Sequence, residues 1–196
     1  MSDYEFIEYD FDDPSLLEKY VGLPLLRLVG DRFYYRPFLR KISFENADNV
    51  LDFGCGAGES TRSILNMLGD EGRATGIDTS AFWLEHARKR LNDRENVTLL
   101  HADIREKGQG NGRFDKAVII FVLHDIHPLD RPAIVESIVE ALKPGGQCCV
   151  YEPAKYTHGM APEEVRKIMT EAGLKEMQTW TKEGKWFQGI YEKGRE

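Results

Sequence analysis

From Asn49 onward, short apolar runs alternate with longer amphipathic stretches. That is the pattern of a parallel sheet wrapped by helices. Asn49–Phe53, Arg73–Ile77, Val97–His101 and Gln147–Glu152 read as strands. The unbroken apolar run Ala117–Leu123 predicts a further strand buried on both faces at the sheet's centre. Between them, the spacing predicts a helix over Ser60–Leu68, with Ser60 or Thr61 as its cap and Gly69 at its end. Thr79 and Ser80 open another that runs through Leu91, with Phe82, Leu84, Ala87 and Leu91 roughly along one side. A third starts near Pro128 and Asp130 and is stopped after Leu142 by Lys143-Pro144-Gly145-Gly146. Pro162 fits the first turn of a fourth, which Gly173 ends. Lys107–Gly112 reads as a loop. Glu176–Thr181 and Lys185–Glu192 flank Glu183-Gly184 as a hairpin, which implies one antiparallel strand in an otherwise parallel sheet. The predicted class is therefore α/β, with a seven-stranded, mostly parallel sheet and a final antiparallel strand.

The first 45 residues do not join this alternation. Pro14–Val29 and Pro37–Ile42 read as helices, and Tyr4, Phe6, Tyr9, Phe11, Tyr20, Phe33, Tyr34, Tyr35 and Phe38 form a dense aromatic set. Residues 1–45 are expected to be an N-terminal helical cap or lid over a main domain of residues 46–196.

A length of 196 residues suits a single core without disulfide or metal staples. The formal charge of −7 makes nucleic acid a poor default partner. Cys55, Cys148 and Cys149 are odd in number, and sequence neighbours rarely bridge, so a reducing setting is expected. No apolar run is long enough to span a bilayer. Met1–Phe11 is acidic and aromatic, unlike a secretory or organellar leader. Those features predict a cytoplasmic protein without a membrane or DNA partner.

The most informative stretch is Asp52-Phe53-Gly54-Cys55-Gly56-Ala57-Gly58. Glycines at alternate positions after a strand permit a sharp turn and a close backbone approach to a ligand. Free N–H groups of the following helix lie nearby. Dinucleotide enzymes prefer G-x-G-x-x-G, with the third glycine one place later. Here that place is Glu59, an anion ill suited to a pyrophosphate. An amino acid with an ammonium and a sulfonium would instead favour a nearby acid such as Asp52. Asp78 ends the second strand, where a carboxylate can accept ribose hydroxyls, and Asp103 follows the third, where an adenine amino group could donate. Any one of these acids could equally be a helix cap.

Taken in order, these motifs resemble class I S-adenosylmethionine-dependent methyltransferases over about Asn49 to Tyr191. Val50 to Gly58 resembles the family's first motif, Gly76-Ile77-Asp78 its acidic second motif, and His101-Ala102-Asp103-Ile104 its adenine-side motif. Phe114-Asp115 through Leu123-His124 resembles the central strand, and Leu142 to Gly146 the turn before strand five. The resemblance implies a Rossmann-like fold. It also implies that Asp52, Gly54, Gly56 and Gly58 line the methionine part of S-adenosylmethionine. Asp78 would hold the ribose, while Asp103 and the backbone of Ile104 would address adenine. Cys55, Thr79 and Phe121 complete the expected cofactor set. Phe121-Val122-Leu123-His124-Asp125-Ile126, a helix and Leu-Lys-Pro-Gly-Gly are similar to the small-molecule branch that includes quinone-biosynthesis methyltransferases. The segment lacks the Asn/Asp-Pro-Pro-Tyr/Phe signature of amino-methylating DNA and glutamine enzymes.

His124 and Asp125 follow the central strand, where the resemblance puts the methyl donor. Methyl transfer is an in-line displacement, so alignment supplies much of the rate, and a base matters only when the acceptor must lose a proton. His124 is the candidate base, with Asp125 beside it; the alternative is a structural imidazole bonded to backbone. His124, Asp125, His127 and His158 do not place two ligands on one helix face and offer no obvious fourth ligand, so no metal is expected. The expected function is methyl transfer to a small-molecule acceptor. Alternatives are a non-catalytic S-adenosylmethionine-binding module or activating subunit, and a protein or RNA methyltransferase. An NAD(P)-dependent oxidoreductase is disfavoured by the glycine spacing and by the absence of Tyr-x-x-x-Lys on a central helix.

Overall fold

A computed structural model describes residues 30–106, 112–155 and 158–195. The predicted helix Pro14–Val29 and all but Gly112 of the predicted loop lie outside the described residues. The described chain falls into two compact units, one up to Asp103 and one from Ile104.

In the first unit, a π-helical turn over Asp31–Tyr35 runs into α1 (Arg36–Leu39). Then follow β1 (Asn49–Phe53), α2 (Glu59–Leu65), β2 (Arg73–Asp78), α3 (Ala81–Arg90) and β3 (Val97–His101). The strands pair in parallel as β1–β2–β3, with Asp52 opposite Gly76 and Asp78 opposite His101. Parallel neighbours need crossovers, and α2 and α3 supply them. Ser80 caps α3 by accepting from Trp83 N–H at 3.3 Å, and Arg88, Lys89 and Arg90 sit at its negative C-terminal end. Leu84, Ala87 and Leu91 are its buried stripe; the predicted fourth member, Phe82, is only half-buried and packs edge-on against Trp83. Tyr35, Phe38, Leu39 and Ile42, within the stretch expected to form the cap, are buried in this unit.

One expected detail is corrected here. Helix α2 starts at Glu59, with Gly58 at its N-cap and no side-chain cap. Ser60 and Thr61 therefore lie inside the first turn, and both hydroxyls donate to Asp52 instead.

The second unit holds β4 (Phe114–Ile120), a 3-10 turn at Leu123–Asp125, α4 (Arg131–Ala141), β5 (Leu142–Lys155), β6 (His158–Gly159), α5 (Pro162–Glu171), β7 (Leu174–Lys182) and β8 (Trp186–Lys193). Strands β4 and β5 are parallel, while β8 is antiparallel to both β5 and β7. The expected terminal hairpin is thus present, and with it the antiparallel end of the fold. Regular pairing of β5 with β4 is broken after Leu142 and resumes at Gln147, because Lys143 to Gly146 form the expected turn as a bulge. Strand β4 is buried from Lys116 to Ile120, as a two-faced strand must be.

It ends three residues earlier than the apolar run suggests. Phe121 has φ 59, a left-handed value rare outside glycine, and Leu123–Asp125 is helical. The cause is a carboxylate from β5. Glu152 Oε1 accepts from Val122 N–H at 3.0 Å and Leu123 N–H at 2.8 Å, which pulls the backbone out of the strand. Among the described residues, no helix is long and apolar enough to cross a membrane.

The packing of α3 on the glycine turn gives a first prediction. A Cβ at Gly58, where φ is +81, would lie 3.1 Å from Leu91 Cδ1 and 3.2 Å from Ala87 Cβ. At Gly56 φ is +49 but a Cβ would meet nothing within 4 Å. Gly58→Ala should lower stability by roughly 2–4 kcal/mol, from strain plus overpacking, and Gly56→Ala by only about 1 kcal/mol. Urea unfolding of the two variants checks the difference.

Candidate cofactor turn and histidine cluster

In the first unit, the turn after β1 is built from three left-handed glycines, with φ of 68 at Gly54, 49 at Gly56 and 81 at Gly58. The Gly54 and Cys55 N–H groups both donate to Ile77 O, at 2.9 and 3.1 Å, and Gly58 N–H donates to Cys55 O. These bonds fold the turn against the end of β2. The side chain of Cys55 is buried towards Gly76, so only its backbone belongs to the exposed side of the turn. Burial pushes its thiol pKa up, and the charges of Asp52 and Asp78 add to that.

Asp78 ties the turn down from β2. One carboxylate oxygen accepts from Gly56 N–H at 2.8 Å and the other from Ser80 N–H at 2.9 Å. Thr79 beside it is exposed, and Asp103, two residues beyond β3, is half-buried. Asp52 lies deeper, at 1% exposure, with one oxygen 2.7 Å from Ser60 Oγ and 2.6 Å from Thr61 Oγ1. Burial pushes its pKa up, the two hydroxyls pull it down, Asp78 pushes again, and the result is about 6. Glu59 is buried and paired with Arg90, whose Nε also donates to Ala57 O. Its charge is therefore answered from α3, and glycine spacing rather than repulsion by Glu59 separates this turn from a dinucleotide loop.

The open Cβ direction at Gly56 and the acid-lined strand ends fit a ligand that approaches the main chain and carries positive charge and hydroxyls. A pyrophosphate would add negative charge beside Asp52 and Asp78.

The second unit contains the other expected residues. Ile104 is buried. Phe121 is half-buried, and its ring lies 4.5 Å from that of Tyr151. His124 and Asp125 belong to a cluster that the fold completes with two residues from β5 and β6. His124 Nδ1 lies 2.7 Å from Glu152 Oε2, and Glu152 is fully buried. His124 Nε2 is 3.1 Å from His158 Nε2 and 3.3 Å from Asp125 Oδ1. Burial alone would lower the pKa of His124, but the Glu152 hydrogen bond and the charges of Glu152 and Asp125 outweigh it, and the net shift is upward. His158 is shifted down by burial and by the charge of His124. Burial raises Asp125, against the pull of the two histidines. Arg131 is buried as well, donating to His124 O at 3.1 Å and Ile126 O at 2.9 Å while pairing with Glu164.

Sequence reasoning did not assign Glu152 or Arg90, and it set His158 aside. The one acid closing the apolar strand Gln147–Glu152 was the available signal for Glu152, while Arg90 sits in the basic run Arg88–Arg90, which reads as a solvated helix end.

A family profile described as a methyltransferase domain matches residues 50–146. Among curated proteins, the chain is 28% identical over 147 residues to a ubiquinone/menaquinone biosynthesis C-methyltransferase, UbiE, of Coxiella burnetii, covering 73% of this chain. The match spans only 58% of that relative's length. The fold is that of a SAM-dependent methyltransferase from Aquifex aeolicus, with a TM-score of 0.73 at 19% identity over 94% of this chain and 99% of that one. It is also that of the N-methyltransferase NodS from Bradyrhizobium japonicum WM9 in complex with S-adenosyl-L-homocysteine, with a TM-score of 0.65 at 21% identity over 92% and 89%. The Rossmann-like α/β class expected from sequence is the class found.

The buried carboxylate at Asp52 predicts a pH dependence. Unfolded, an aspartate loses its proton near 3.8; folded, this one holds it to about 6. Unfolding thus releases a proton between those values, so stability falls as pH rises through that window and levels off above it. Two units correspond to roughly 3 kcal/mol. Asp52→Asn keeps an acceptor for Ser60 and Thr61 but does not titrate. Urea unfolding at pH 4.5, 5.5 and 7 should show the variant gaining on the parent as pH rises; a constant difference would contradict the assignment.

Proposed function

This chain belongs to the class I S-adenosylmethionine-dependent methyltransferases, and from that premise we propose that it transfers the methyl group of S-adenosylmethionine to a small-molecule acceptor. The observation that carries the reading is the left-handed turn Gly54–Gly58, open at Gly56 and pinned to the Asp78 carboxylate. S-adenosylmethionine supplies an electrophilic methyl group on a sulfonium sulfur. The main chain of the turn is proposed to receive its methionine end. Asp52 beneath supplies negative charge, Asp78 accepts the ribose hydroxyls, and Asp103 takes the adenine amino group.

A small acceptor is supported by the quinone methylation in the Coxiella relative's name and by the net charge of −7, which disfavours a polyanion. The catalytic role is assigned to His124 and Asp125. With Nδ1 directed at Glu152, the ring orientation is set, and Nε2 is the atom left to take a proton from an acceptor that must lose one.

Calorimetry with S-adenosylmethionine and S-adenosylhomocysteine, followed by a methyl-transfer screen over metabolite pools, tests the reading. Asp78→Ala should weaken cofactor binding by at least roughly tenfold, and unchanged affinity would remove its ribose role. His124→Ala should leave cofactor affinity intact and lower turnover on a proton-losing acceptor by about 10²-fold or more. Tight cofactor binding with no turnover on any pool would favour a binding module or activating subunit over an enzyme.

A further inference from the structure

His124 Nε2, Asp125 Oδ1 and His158 Nε2 form a triangle with edges of 3.1, 3.3 and 3.8 Å. Two nitrogens and a carboxylate oxygen from the 3-10 turn and β6 thus converge on one point; the three ligand atoms lie within 4.8 Å of one another. A tetrahedral ion with bonds of about 2.0–2.1 Å holds its ligand atoms about 3.3–3.4 Å apart, and the three edges bracket that separation. The two imidazole planes cross at 88°, which keeps the rings from stacking on each other as their nitrogens approach.

The surroundings carry the same signature. A metal-bound histidine generally donates its other ring N–H to a carboxylate, which fixes the tautomer and leaves the ligating nitrogen unprotonated. Glu152 is placed for this, 2.7 Å from His124 Nδ1 and fully buried. Charge balance points the same way. Glu152 and Asp125 bring two carboxylates to a pair of imidazoles, and a divalent ion neutralises them. Of the two other cations that act on the cluster, Arg131 is paired with Glu164, and Lys155 lies beside His158 on the exposed side. The cluster is reachable: His158 is 42% exposed, whereas His124 is 5% exposed.

We propose that His124, Asp125 and His158 are a tripod for a tetrahedral divalent ion, zinc first, with Glu152 orienting His124 from behind and one coordination position left for a non-protein ligand. Two imidazoles with one carboxylate suit zinc or cobalt and are poor ligands for magnesium or calcium. The proposal does not rest on the methyl-transfer reading. Ligation uses the Nε2 lone pair that proton transfer would use, so the two are exclusive occupancies of one nitrogen.

The test titrates the full chain, without S-adenosylmethionine, with Zn²⁺ by calorimetry and with Co²⁺ by absorption. One ion per chain is expected, with the visible bands of tetrahedral cobalt and no thiolate-to-cobalt charge transfer. His158→Ala and Asp125→Asn should each weaken binding by at least roughly tenfold, while His127→Ala, outside the cluster, should leave it unchanged. His158 is half-exposed on a two-residue strand, so its replacement costs little core, and a melting curve verifies that. Absence of stoichiometric binding, equal affinity in His158→Ala, or a thiolate band that puts the ion on a cysteine would overturn the proposal.

Discussion

A single buried carboxylate organises the second unit. Glu152 has no exposure to water, and an ionisable group in that position is tolerated only where donors surround it. The chain supplies them by leaving the sheet. Val122 and Leu123 turn their N–H groups to one oxygen, and the other meets His124 Nδ1, with His124 N–H at 3.4 Å. Phe121 takes up the strain of that departure with a φ of 59, held on the other side by its N–H to Tyr151 O at 2.8 Å. Strand ending, left-handed residue and imidazole orientation are therefore one event, and each would relax if Glu152 lost its charge or its place in β5.

This also explains which parts were legible in the chain. Strands β1 and β3 match their predicted ranges because their limits are local: apolar runs bounded by turn residues. The central run was read through to Leu123 because its apolar character continues past Ile120, while the group that ends it lies about thirty positions away. Side-chain spacing on one helix said nothing of His158, which reaches His124 because β6 folds back antiparallel on the end of β5. Ser60 and Thr61 have the composition of caps, yet a buried aspartate one strand earlier claims both hydroxyls. In each case a polar contact from outside the element overrode a sound local preference.

The first unit was more legible because its chemistry is local. Gly54, Gly56 and Gly58 adopt the left-handed backbone that their spacing implied, and Asp78 ends β2 within hydrogen-bond reach of the turn. What the spacing did not reveal is how the acids differ. Asp78 accepts a backbone N–H on each oxygen, which shapes the turn and uses one of that oxygen's two lone pairs, whereas Asp52 is buried beneath it and held by hydroxyls that only partly offset desolvation. A positively charged ligand over such a turn relieves the cost of ionising Asp52, and an anionic one adds to it. This is a physical reason for a sulfonium nucleoside here rather than a dinucleotide.

The histidine cluster poses the same electrostatic problem with a different set of solutions. Two imidazole nitrogens 3.1 Å apart cannot both present lone pairs to each other without repulsion, so a ring N–H of one of them, or a metal ion, must lie between them. The Nε2–H of His158 does this with both rings neutral and leaves His124 Nε2 as the acceptor; a further proton there makes His124 an imidazolium, which the upward shift of His124 and the downward shift of His158 favour. A metal ion does it by drawing all three ligand atoms to itself and releasing that proton. The Glu152 hydrogen bond stabilises either arrangement, because in both it faces an Nδ1–H. Ion concentration and pH therefore compete at one nitrogen, and the scaffold holds the ring equally well for both.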